Sequence, residues 1–322
     1  MRRREFIALL GGAVACPLTT RAQDAGRTYH VGFFVPYGPE LVGAFLDELA
    51  GSGFKEGQNL TVLPGGFNVR AEKIAEEAAT LVANMPDVIF TGPDVYTRAI
   101  QKVGKSVSIV ALSGDMVGGG LVASLARPGG NTTGVSMIAP ELDVKRQDIL
   151  IEVVPGIHRM AAMTDTTMSQ NRPQHLMELK VAARARGVDL LIVPVTARDQ
   201  IVSAINEAKQ AGAQALNFLA TPLFMANRQF VVAQTAEAML PAMYQWPEIA
   251  DEGGLLAYGT RTSDIYRQAA RLVVKVLRGS KPADLPVEQP TKFELVINLK
   301  TAKALAIAIP STLLATADEV IE

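Results

Sequence analysis

The chain has 322 residues, enough for one large α/β protein or two ordinary domains, and 48% of them are hydrophobic, which excludes a disordered chain. A formal net charge of -1 lacks the basic balance of a nucleic-acid-binding surface, so no nucleic-acid partner is expected. One cysteine, Cys16, permits no internal disulfide, and three histidines (His30, His158, His175) stand singly, without the i,i+4 pairing of a zinc site.

Residues 1–22 read as an export leader rather than as part of the fold. Arg2, Arg3 and Arg4 form a basic start, and residues 6–16 hold only apolar residues and glycine. That run is shorter than the roughly 20 apolar residues that span a bilayer. Thr20-Arg21-Ala22 puts small residues where a signal peptidase cuts, so cleavage is expected near Ala22, leaving Gln23 first in a periplasmic protein. Arg3-Arg4-Glu5-Phe6-Ile7 is similar to a twin-arginine signal, although Arg2 and Ala8 depart from that pattern. Cys16 is not read as a lipoprotein acceptor, because Ala13 stands where such signals usually carry leucine.

Residues 31–35 then predict a strand, ending in the loop Pro36-Tyr37-Gly38-Pro39. Leu41, Phe45 and Leu49 recur at helical spacing before Gly51 and Gly53 stop the helix. A strand at 60–63 follows, then a helix whose face carries Ile74, Ala78, Leu81, Val82 and Met85. Residues 88–90 and 107–112 are further strands flanking a helix at 95–103. After the glycine-rich 127–131 the cycle restarts. Strands are expected at 160–163, 190–195, 215–219, 241–244 and 255–258, and helices at 173–186, 199–212 and 222–239.

Strands alternating with helices of this length predict parallel sheets covered on both faces, and the restart predicts two of them. The expected architecture is α/β, with two doubly wound lobes joined by three hinge crossings near 134–137, 258–261 and 283–289. The N-terminal lobe would comprise 28–136 plus 260–285, and the C-terminal lobe 137–259 plus 286–322.

Enzyme signatures are sparse. Neither a G-x-S-x-G elbow nor a G-x-x-x-x-G-K-[ST] phosphate loop occurs. Gly51, Gly53 and Gly57 follow a helix, where a dinucleotide fingerprint needs a strand. No cofactor and no metal are expected. In open α/β sheets, ligands bind beyond the carboxyl ends of the strands, beside free N–H groups at helix starts. That rule selects Tyr37 and Gly38, then Thr91, Gly92 and Pro93, then Ser113, Gly114 and Asp115 in the first lobe. In the second it selects Asp165, Thr221, Tyr244 and Tyr258. Plainer roles compete: Asp94, Asp115 or Thr221 as helix caps, Tyr37 packed on its own lobe, Tyr258 as a hinge residue, Trp246 as a packing residue.

Several stretches carry a family pattern: Ser113-Gly114-Asp115-Met116-Val117-Gly118, the run 125–134 with Arg127-Pro128-Gly129-Gly130-Asn131, and Gly253-Gly254-Leu255-Leu256-Ala257-Tyr258-Gly259. The most specific is 281–298, containing Glu288-Gln289-Pro290-Thr291-Lys292-Phe293-Glu294-Leu295, followed by Lys300-Thr301-Ala302-Lys303-Ala304-Leu305. With the leader, these resemble bacterial ABC transporter substrate-binding proteins related to tryptophan-type importers, over nearly the whole chain. The resemblance implies a type I periplasmic-binding-protein fold and a non-catalytic receptor that closes on a small solute, an amino acid or a related compound. The implied partner is an ABC permease in the inner membrane, and a monomer suits a diffusing carrier. A periplasmic sensor and an α/β enzyme are the alternatives. Met116, where many relatives have proline, and the loop 164–171 depart from the family pattern at two expected ligand loops. For an amino-acid ligand, the carboxylate would sit on N–H groups near Thr91 and Gly92, with Asp115 pairing with the ammonium group and Tyr37 or Tyr258 against the side chain.

Overall fold

A computed structural model describes residues 26–166 and 173–322; the expected leader over 1–22 and most of the 164–171 loop lie outside the described residues. The first sheet contains β1 (Tyr29–Phe34), β2 (Leu60–Val62), β3 (Val88–Thr91), β4 (Ser108–Ser113) and β5 (Thr132–Ser136), in the order β2-β1-β3-β4-β5 and parallel throughout. The period of two sorts its side chains between two helix layers. Val31, Phe33, Phe90 and Val110 meet α1 (Gly43–Gly51), while Phe34, Ile89 and Ile109 meet α2 (Ile74–Ala83) and α3 (Asp94–Val103).

The second sheet contains β6 (Arg159–Asp165), β7 (Asp189–Val195), β8 (Leu216–Phe218), β9 (Ala242–Tyr244), β10 (Leu256–Gly259), β11 (Glu294–Asn298) and β12 (Glu319–Ile321). Their order is β12-β11-β10-β9-β8-β6-β7. One face packs on α4 (Ala139–Val153) and α5 (Pro173–Ala185). The other packs on α6 (Ile201–Gln210), the short α7 (Pro222–Ala226), α8 (Arg228–Glu237) and α9 (Pro247–Asp251). The helix expected over 222–239 is therefore two helices. Asn227 interrupts it, its side-chain amide donating back to the Leu223 carbonyl at 2.8 Å. The last helices are α10 (Thr262–Leu277), α11 (Leu299–Ala304) and α12 (Ser311–Thr316).

One pairing departs from an all-parallel sheet: β11 runs antiparallel to β10. The cause is topological, since β11 is entered from the other lobe and so comes in at the end where β10 leaves. The first crossing runs from β5 into α4 through Ile138, whose backbone is left-handed (φ 44°). The second runs from β10 into α10, which packs on α1, β3, β4 and β5 and so belongs with the first sheet. Before the third, the chain stays on the free edge of β5: Glu288 donates to the Gly134 carbonyl and receives the Ser136 N–H, both at 2.9 Å. That pairing covers an otherwise open sheet edge. Residues 286–288 thus lie along β5, and the third crossing occupies 289–293 rather than 283–289.

Candidate functional site

The carboxyl ends of β5 and β10 feed the first two crossings, so the strand-end loops of both sheets collect around them. In the first lobe, Thr91 closes β3 with its hydroxyl donated to the Phe34 carbonyl at 3.0 Å, which pins the ends of β1 and β3 together. Gly92 precedes a cis bond to Pro93. A Cβ on Gly92 would stand 2.6 Å from the Leu112 carbonyl oxygen, so only glycine lets the loop pass β4 this closely. The Pro93 carbonyl then accepts the Tyr96 and Thr97 N–H groups at 3.0 and 3.2 Å and starts α3.

Ser113 ends β4 and donates its hydroxyl to Asp94 Oδ1 at 2.6 Å, while accepting the Asp115 N–H at 3.2 Å. Asp115 Oδ1 accepts the Gly118 N–H at 2.8 Å. The carboxylate expected to meet a ligand ammonium group thus also serves its own loop. Asp94, expected as a cap, is the first residue of α3 after its cap Pro93, and stands beside Ser113 with Arg98 Nη2 4.0 Å from its Oδ2. Gly114 accepts the Ala139 N–H at 3.0 Å, joining this loop to the first turn of α4.

Gly38 caps the single helical turn after β1 with its backbone. Beside it, Tyr37 is partly exposed as a residue, but its hydroxyl is buried against that of Tyr266, with the ring centroids 6.3 Å apart. Burial first, and then the charge and hydrogen bond of Tyr266, holds the Tyr37 hydroxyl well above the ordinary tyrosine range. Burial also pushes Tyr266 up to about 12, against the opposing hydrogen bond from Tyr37. The folded state holds both protons more tightly than the unfolded chain, whose tyrosines titrate near about 10. Stability should accordingly fall as pH rises above that value. An alkaline titration read by phenolate absorbance and near-ultraviolet dichroism should show these two tyrosines ionising only as tertiary structure is lost.

In the second lobe, Asp165 closes β6, and the Thr166 and Thr196 hydroxyls meet at 2.9 Å across the ends of β6 and β7. Thr221 is buried and accepts the Phe224 N–H at 3.4 Å, the cap of α7. Tyr244 does not reach the strand-end loops. It is 2% exposed, stacks on Phe218 at 5.2 Å and hydrogen-bonds Thr235 of α8, and burial raises its hydroxyl pKa. The two-residue period puts Ala242 and Tyr244 on the α8 side of β9, so the strand's end is occupied by Gln245, whose Oε1 has no protein partner. Trp246 packs in the same core.

Tyr258 is partly exposed and lies 6.3 Å from the Phe293 ring on the third crossing. Its carbonyl accepts Arg146 Nη1 at 3.0 Å. Behind it, Arg146 bonds Asp143 at 2.5 Å and Asp143 bonds His175 Nε2 at 2.9 Å, all three being buried. No periodicity marks this group; a salt-bridge spacing of i,i+3 within α4 is its one sequence signal. Ser113 thus faces a carboxylate, while His30 and His158 sit where β1 and β6 begin and His175 serves Asp143. No histidine base stands beside that hydroxyl, and the arrangement offers hydrogen bonds and charge for holding a solute. Among the described residues no group of three or more His, Cys, Asp or Glu side chains is placed to hold a metal ion, and no helix is long and apolar enough to cross a membrane.

Comparison with known proteins places this geometry. The family described as ABC transporter substrate binding protein matches residues 39–321. A tyrosine-binding protein of Clostridioides difficile (strain R20291) is 22% identical over 263 residues, covering 81% of this chain and 75% of that protein. The crystal structure of a conserved domain protein from Vibrio cholerae superposes with a TM-score of 0.83 at 23% identity, covering 91% of this chain and all (100%) of that one. The structure of an ABC domain from Streptococcus pneumonia in complex with L-Trp gives 0.81 at 24% identity, with coverages of 91% and 100%. The two lobes of mostly parallel strands are those of the type I periplasmic-binding-protein fold.

Proposed function

The chain belongs to the ABC transporter substrate-binding protein family, and from that premise we propose that it is the exported receptor of an importer, closing its lobes on an aromatic amino acid. The observation that supports this reading is that Tyr37, the Thr91-Gly92-Pro93 turn and the Ser113–Asp94 pair of one sheet, and Asp165 and Tyr258 of the other, all stand at the carboxyl ends of strands, the ends from which the first two crossings leave. The tyrosine named for the Clostridioides relative and the L-Trp of the Streptococcus complex support the ligand class. Asp94 with Ser113 is the site for the ammonium group. Asp115, two residues beyond Ser113, is the second carboxylate placed for that group. Tyr37 and Tyr258 flank the ligand's ring. Closure buries the solute and expels water, and contacts made only in the closed form set the population shift. The leader over 1–22 would deliver the chain to the periplasm as a monomer, where the closed form meets an inner-membrane permease.

The test is thermal unfolding against L-tyrosine, L-tryptophan, the other amino acids, purines and small organic acids. A ligand at about 100 times its dissociation constant stabilises by roughly 2.7 kcal/mol, a shift of several degrees. The aromatic amino acids should give that shift and be recovered unchanged, and Asp94→Asn should shrink it. A shift with organic acids alone would overturn the ligand class, and consumption of the compound would overturn the receptor reading.

A further inference from the structure

The second crossing carries a charge cluster that the binding site does not use. Arg261, the residue before α10, gathers three carboxylates: Asp251 through Nη1 at 2.7 Å, Glu294 through Nε at 2.7 Å and Glu319 through Nη2 at 2.5 Å. They come from α9, β11 and β12, all on the second sheet. Lys292 of the third crossing adds a second cation to Glu294, and the Thr260 hydroxyl donates to the Lys292 carbonyl at 2.8 Å, tying the two crossings together. One residue beyond Arg261, the Thr262 N–H and hydroxyl both donate to Glu248 Oε1 at 2.7 Å. Thr262 begins α10, a helix of the first lobe, and Glu248 sits on α9 of the second. A carboxylate of one lobe thus caps a helix of the other, where the helix dipole favours it.

Isolated exposed ion pairs contribute little. This cluster differs because one guanidinium with 23% side-chain exposure serves three acids, and Glu294 is only 10% exposed. Burial alone would raise the Glu294 carboxyl; hydrogen bonds from Lys292 and Arg261, with their charges, outweigh it and hold the group below the usual carboxylate range. Arg261 is thus tied to three groups of the second lobe, while the Glu248–Thr262 bonds join that lobe to α10.

We propose that Arg261 and Glu248 form a latch that sets the resting orientation of the two lobes, Arg261 anchoring the crossing and Glu248 restraining α10. The proposal rests on the two-lobed receptor reading but not on the identity of the ligand. Its test is an interlobe distance distribution by pulsed electron–electron resonance on the full chain without ligand. Spin labels are placed at exposed Lys102→Cys in α3 and Val181→Cys in α5, in a Cys16→Ser background. Glu248→Gln and Arg261→Met should each shift or broaden the distribution. About 1 M salt, which shortens the Debye length to roughly 3 Å, should do so more weakly in the parent. An unchanged distribution in both variants, folded by circular dichroism, overturns the latch. Should both fail to fold, exposed Glu319→Gln and the salt series decide: a change supports the latch and none overturns it. L-tyrosine and L-tryptophan added separately to the parent separate the two readings, because variants that shift the distribution while neither amino acid does anything would sink the ligand class and leave the latch standing.

Discussion

Arg146→Met should lower the unfolding free energy by about 3–5 kcal/mol, the cost of leaving a buried charge without its partner. Arg146 and Asp143 are both fully buried, one turn apart on α4, and their 2.5 Å bond is shielded from solvent. Without the guanidinium, the Asp143 carboxylate keeps only His175 Nε2 at 2.9 Å, and the Tyr258 carbonyl loses its donor. The double variant Asp143→Leu with Arg146→Met should recover part of the loss, because two apolar side chains need no desolvation of an ion pair. Chemical denaturation of the parent and of the two variants measures this directly. A cost for the single variant below about 1 kcal/mol is the range of an exposed pair and would mean that water reaches α4 there. The same substitution bears on function. Tyr258 is the residue before Gly259 at the end of β10, so releasing its carbonyl frees the start of the second crossing and should weaken the aromatic amino-acid response.

The helix–sheet–helix layering of the lobes was legible because burial on both faces of a parallel sheet leaves a mark on the chain. Val31, Phe33 and Val35 serve one layer and Phe34 the other, so residues 31–35, over the end of β1, read as one apolar run. The end of β10, from which the chain passes to the other sheet, lies at an apolar run the sequence shows. Nothing local in 286–288 signals that this backbone bonds the edge of β5. The break at Asn227 was also hidden, since the apolar spacing continues through it. At the site, the loops could be read but the side-chain directions could not. Tyr244 and Gln245 are one residue apart, and the pleat sends only the tyrosine into the α8 layer. Nor does any spacing announce that Asp94 takes the Ser113 hydroxyl while Asp115 takes the Gly118 N–H. The partners of Arg261, separated from it by 10, 33 and 58 residues, leave no periodic signal at all.

Gly134→Ala carries the second large expected effect, about 2–6 kcal/mol of destabilisation, from overpacking and backbone strain at about 1–3 kcal/mol each. Gly134 lies in the middle of β5 with φ at 156°, and a Cβ there would stand 1.9 Å from the Ala111 carbonyl oxygen and 2.7 Å from the Ala111 N and C. These are backbone atoms of β4, so no rotamer change relieves the clash. Nor is β5 free to move away, because its other edge accepts the Glu288 N–H on the Gly134 carbonyl at 2.9 Å. Any shift that accommodates a methyl group must break one ladder or the other. Two residues on, Ser136 Oγ accepts the Met116 N–H at 3.1 Å, and the Met137 N–H donates to the Ser113 carbonyl at 2.9 Å. The displacement therefore reaches the Ser113–Asp94 pair and the first crossing together, and the variant should lose stability and ligand response in parallel. Gly51→Ala is the matched control: it sits at the end of α1 with nothing within 4 Å of its added methyl, and should be neutral or stabilising by up to about 1 kcal/mol. Denaturant titration of the two variants side by side isolates the contact. Equal stabilities would mean that β5 does not press on β4 at Gly134, and that the first crossing is positioned by α4 instead.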